Sequence, residues 1–181
     1  MNFNSGEFPI EKSLFLRSIR IDKDINNLDI MNSLISSETF NRTISEVFKQ
    51  IQNGQCAFTW TGSYGSGKSS LAVLLSGLLS NSKTKIFKKA FSIIDEKTQS
   101  NIKEVLKTSF KSEFLPIVCS RNETKDQIIS ILSYNFDHYN HKLSILDNIE
   151  KFSRTKRIIL VIDELGKYLE YCHISNSDIY F

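Results

Sequence analysis

Residues 62–69 read GSYGSGKS, so that Gly62, Gly65 and Gly67 are spread along a short stretch that ends in Lys68 and Ser69. Glycines at this spacing let successive backbone N–H groups turn toward one point, which a Cβ would obstruct, and such a concave row of donors suits an anion. Lys68 adds a mobile cation, Ser69 and Ser70 add hydroxyls, and a helix starting at Lys68 would bring its positive end to the same place. The pattern is G-x-x-x-x-G-K-[ST], the Walker A loop. Its chemistry is the grip of a triphosphate, with Lys68 on the β- and γ-phosphates and the Ser69 hydroxyl on Mg²⁺. The expected nucleotide contacts are Gly62, Ser63, Tyr64, Gly65, Ser66, Gly67, Lys68, Ser69 and Ser70. A glycine-rich turn with a chance lysine is the bland alternative, and the complete eight-position match weighs against it. Tyr64 occupies a free position of the motif, where stacking on a ligand competes with a solvent-facing or packing role.

What happens to the phosphate depends on a second group. Residues 157–164 read RIILVIDE, a continuous β-branched run that ends in two carboxylates. Many buried strands simply exit into acidic loops, but beside a Walker A loop this run reads as Walker B. Asp163 then organises Mg²⁺ and its waters, and Glu164 polarises the attacking water as catalytic base, with Lys68 the second catalytic residue. The pair also sorts the class. A GTPase would need an N-K-x-D base-reading motif, which does not occur, and a small-molecule kinase would not need the second carboxylate. Water as acceptor, and hence ATP hydrolysis, is the expectation.

These residues need a strand and a helix on either side of the loop. Residues 56–60 (CAFTW) are short, β-prone and bounded by turn formers, and residues 68–80 carry the leucines of a buried helix. Upstream, Phe40, Ile44, Val47, Phe48 and Ile51 recur at helical spacing, with Ser36 or Ser37 as cap and Asn53-Gly54 as stop. Before that, residues 15–21 (FLRSIRI) suit a strand or extended arm, and residues 22–29 read as a loop. About 95 residues separate Lys68 from Asp163, room for a further βα unit and an extra helix. Residues 114–120 (FLPIVCS) are the candidate strand there, Thr124 and Gln127 open a helix as a capping box, and Ile102, Val105, Leu106 and Phe110 mark one more helix.

The 181 residues are 40% hydrophobic and 24% charged, an ordinary globular composition with room for one α/β domain. Net charge is +3, from 23 basic and 20 acidic residues, too weak a balance to name nucleic acid or membrane as partner. Lys83, Lys85, Lys88 and Lys89 form the one basic patch, read as a solvated face with a nucleic-acid footprint as the weaker alternative. The apolar runs are too short to span a bilayer and the first thirty residues lack a sustained apolar stretch, so a cytoplasmic chain is expected. Cys56, Cys119 and Cys172 form no close pair, which argues against disulfides and structural zinc; His138, His141, Cys172 and His173 make only a weak metal candidate.

Taken together, FLRSIRIDKD, the helix before CAFTW, TWTGSYGSGKSSLAVLLSGLL, FLPIVCS and IILVIDELGKYLEY resemble the N-terminal part of a prokaryotic group of AAA+/STAND-like P-loop ATPases. That group is related to the origin-recognition ATPases and often linked to phage defence. The resemblance runs over residues 14–181; its Walker motifs are shared by all additional-strand P-loop ATPases, and DELGKYLE is its more particular part. It implies an α/β three-layer P-loop NTPase core with a parallel sheet. An N-terminal arm would occupy residues 1–35 and the ATPase core residues 36–181, with ATP and Mg²⁺ as ligands and ADP as product. Family members continue past Walker B into a sensor strand, an arginine finger and a helical lid. With the chain ending at Phe181, a C-terminally truncated core is expected, with a gap between residues 56–60 and residues 158–162. A nucleotide-gated interaction switch, acting through self-association or a protein partner, and an inactive fragment are the alternatives.

Overall fold

The computed structural model describes residues 18–106, 112–118, 124–135, 139–154 and 157–175. Within them lie, in chain order, α1 (Ile21–Asp24), α2 (Leu28–Ser33), α3 (Glu38–Gln52), α4 (Lys68–Leu79), α5 (Lys85–Ile93), α6 (Glu96–Leu106), β1 (Ser112–Val118), α7 (Thr124–Asn135), α8 (Ile145–Ser153), β2 (Arg157–Asp163) and α9 (Leu165–Ser175). Arm residues 15–17, Phe110, Cys119, Phe136, His138 and the tail 176–181 lie outside the described residues.

Helices α2, α3, α5 and α8 start where a side chain satisfies a first-turn N–H group. Asn27 caps α2, Ser37 caps α3 by accepting from the Phe40 N–H at 3.1 Å, Thr84 caps α5 and Ser144 caps α8. Of the loop expected at residues 22–29, only the turn at residues 25–27 remains, with the end of α1 before it and the start of α2 after it. The Arg20 N–H donates to Asp24 Oδ2 at 2.7 Å, and Ile21 and Ile25, four apart, bury one face of the turn. Local capping and that buried pair outweigh the polar composition.

The main core is helical. Ile30 and Met31 of α2, Ile44, Val47 and Phe48 of α3, and Leu71, Val73, Leu74, Leu75 and Leu78 of α4 pack with Ala90, Ile94 and Ile102. Burying each large aliphatic side chain contributes about 1.5–3 kcal/mol, so α4 is tied in on nearly every side. Gly77 lets it approach its neighbours, because a Cβ there would stand 2.8 Å from the Ala90 Cβ and 2.7 Å from the Met31 Cε.

The three-layer α/β core expected from sequence is not what forms. Among the described residues the chain is mostly helical, and parallel pairing is confined to one ladder, β1 on β2, running from Ser112 opposite Arg157 to Val118 opposite Asp163. Two strands cannot make a layer that helices cover along its length. Residues 56–60 take no regular secondary structure, with Phe58 and Trp60 packed on the helical core, and join no ladder among the described residues. The amphipathic segments after α4 fold back as α5 and α6 onto α4 and α3, and their apolar faces cover the core that a wider sheet would otherwise cover.

Strand β2 has two different faces. Ile158 and Ile162 pack with Leu132, Phe152, Tyr168 and Cys172, in a second cluster built by α7, α8 and α9. Val161 turns the other way, toward Ile21, Ile25, Trp60 and Ala72. Asp163 has the parity of Val161, so the pleat directs its side chain to the α4 side. On α4, Ser69 stands one turn before Ala72 and shares its face. The two motifs meet across this contact.

Candidate phosphate and metal site

The loop before α4 is built by glycine backbone. Gly65 and Gly67 have φ values of 80° and 84°, left-handed conformations that a side chain would strain, and Gly67 is the N-cap of α4 with no side-chain cap. A Cβ on Gly67 would also stand 3.3 Å from the Phe40 ring, so α3 presses on the loop from behind. Lys68 folds back over the loop. Its Nζ donates to the Gly62 carbonyl at 2.9 Å, the Ser63 carbonyl at 2.8 Å and Ser66 Oγ at 3.3 Å. These neutral acceptors hold the ammonium in place without cancelling its charge. Tyr64 is 90% exposed at the loop's tip, and Ser70 is half-buried beside Ser69.

Across from the loop, Ser69 Oγ donates to Asp163 Oδ2 at 3.2 Å, joining positions far apart in the chain. Asp163 Oδ1 accepts the Glu164 N–H at 3.0 Å. Glu164 follows in the left-handed region, with φ 55°, the one non-glycine residue with positive φ among the described residues. Its Oε2 accepts from Lys167 Nζ at 2.7 Å, and the Lys167 N–H donates to the Glu164 carbonyl at 2.9 Å.

The Ser69 and Asp163 pair fits Mg²⁺. Both offer hard oxygens, and two neighbouring ligands of an octahedral ion at about 2.0–2.1 Å lie about 2.9 Å apart, close to the observed separation. Such an ion takes one or two protein oxygens and fills its shell from phosphates and water. Among the described residues no three His, Cys, Asp or Glu side chains gather as a metal cage, and none is needed for this ion. His141 meets the Tyr139 ring edge-on, and Cys172 is buried in the second cluster.

No family model, curated protein or solved structure matches the chain. Its site geometry is what speaks to function. The structure joins Ser69 to Asp163 where the α4 N-terminus meets the end of β2, with Lys68 held on its own loop and Glu164 paired with Lys167. Sequence reading gave no role to Lys167, although its place three residues after Glu164 at a helix start is a spacing at which charged side chains meet. Among the described residues no helix is long and apolar enough to cross a membrane.

Proposed function

We propose that this protein binds Mg²⁺-ATP in the loop of residues 62–69 and hydrolyses it to ADP and phosphate, as an AAA+-like ATPase would. The observation that carries this reading is the Ser69 to Asp163 hydrogen bond, because it joins the phosphate loop to the acidic strand end as one oxygen pair. Loop N–H groups and Lys68 bind the phosphate chain, and the uncapped first turn of α4 adds its positive end. Ser69 and Asp163 are the residues that would hold Mg²⁺, which would supply positive charge against the phosphates. Glu164 orients a water and takes its proton as the water oxygen bonds to the γ-phosphorus. The bond to the bridging oxygen breaks, and that electron pair leaves with ADP.

The test is equilibrium binding of a fluorescent ATP analogue with Mg²⁺. Lys68→Ala removes a charged donor and should weaken binding about 10- to 100-fold, with the far-UV circular dichroism unchanged. Equal affinity in the two proteins would refute the phosphate site.

A further inference from the structure

We infer that Lys167 is a positioning residue for Glu164, an inference that rests on the proposed hydrolysis at this site. Glu164 is the one described residue that adopts positive φ without being glycine, and it does so at the end of the strand that delivers Asp163. Lys167 holds it twice, by its N–H to the Glu164 carbonyl and by its ammonium to Oε2, while the Asp163 carboxylate holds the Glu164 N–H. Three contacts thus fix one strained residue from backbone to side chain. Lys167 takes Oε2, which leaves Oε1 as the oxygen to meet a water.

Stability does not explain the pair. Lys167 and Glu164 side chains are 54% and 39% exposed, and an exposed ion pair of this kind contributes little to folding. Nor does Lys167 pack: α9 buries Tyr168 and Cys172, with Leu165 partly buried beside them and Lys167 exposed. What the ammonium does is choose one rotamer of a flexible carboxylate. In phosphoryl transfer, where the protein contributes chiefly position and field, that choice sets how often the water is aligned.

The experiment is single-turnover hydrolysis of Mg²⁺-ATP beside analogue binding, on wild type, Lys167→Ala, Lys167→Arg, Glu164→Gln and the Lys167→Ala/Glu164→Gln double variant, with Lys68→Ala as reference. Expected are an about tenfold slower turnover in Lys167→Ala with affinity within twofold, recovery in Lys167→Arg, and no further loss when Lys167→Ala is added to Glu164→Gln. Unchanged turnover in Lys167→Ala overturns the inference. So does an equal loss in the Glu164→Gln background, which would mean that Lys167 acts on something else. Wild-type turnover no faster than Lys68→Ala, with Lys68-dependent binding intact, also overturns it and leaves the nucleotide site standing. Lys68-independent binding instead removes the reading beneath it.

Discussion

Helices α3 and α4 share one core but begin in opposite ways. At α3 the Ser37 hydroxyl closes on the Phe40 N–H, as Asn27, Thr84 and Ser144 do for α2, α5 and α8. At α4 the N-cap is Gly67 in the left-handed region, no side chain caps the first turn, and a lysine follows at once. These four helices thus have a first-turn donor satisfied by a side chain, whereas no side chain takes those of α4. A second contrast lies inside the site itself. Both α4 and α9 are entered through a left-handed residue, but at α4 it is Gly67, which adopts φ 84° without penalty, and at α9 it is Glu164 at φ 55°. A left-handed glutamate costs about 1–2 kcal/mol, a cost that the proposed role of its carboxylate would account for.

The sharpest way to break this comparison is to remove the carboxylate and keep its shape. Glu164→Gln should lower single-turnover hydrolysis about 10²- to 10⁴-fold, the usual contribution of a general base, and leave analogue binding intact. Turnover equal to wild type would show that the water is polarised elsewhere and that the strain at Glu164 serves another end.

Exchanging the two left-handed residues tests the strain directly. Gly67→Ala should lose about 1–2 kcal/mol of stability, and it also forces the Phe40 ring to give way. Glu164→Gly should move the other way, gaining up to about 1 kcal/mol, since relief of the backbone outweighs an exposed ion pair. Urea midpoints at fixed slope report both. Two losses of equal size would mean that Glu164 is not strained and that the comparison fails.

The site was more legible in the sequence than the fold around it. The loop of residues 62–69 and the strand end at Asp163 depend on local spacing, and local spacing survives whatever the tertiary arrangement. Helix α3 was readable for the same reason, from Ser37 to Gly54. The sheet was not, because pairing is decided by partners remote in the chain. Residues 56–60 have the composition of a strand, yet Phe58 and Trp60 are used by the helical core and no ladder forms on the segment among the described residues. Residues 22–29 look polar, yet the Arg20 to Asp24 bond, the buried Ile21 and Ile25 and the Asn27 cap set helix on both sides of a short turn. Lys167 sat unremarked in DELGKYLE because an exposed lysine is ordinary until its partner is known to be Glu164.

The smallest effect expected lies at a scaffold cap, and it sharpens the contrast with α4. At the start of α6, Asp95 Oδ1 accepts the Thr98 N–H at 2.7 Å. That backbone bond, then the Thr98 hydroxyl, hold the Asp95 carboxyl below its ordinary pKa against an opposing desolvation, with a smaller contribution from the nearby Lys97 charge. A carboxylate depressed in the folded chain stabilises above its unfolded pKa, about 3.9, and that stabilisation fades as pH falls through the lower folded value. Asp95→Asn keeps an acceptor oxygen of comparable capping strength but cannot titrate. Wild type should therefore exceed Asp95→Asn in urea midpoint near neutral pH, and the gap should close as pH falls below about 4. A gap that stays constant across this range would show that the cap works through shape alone.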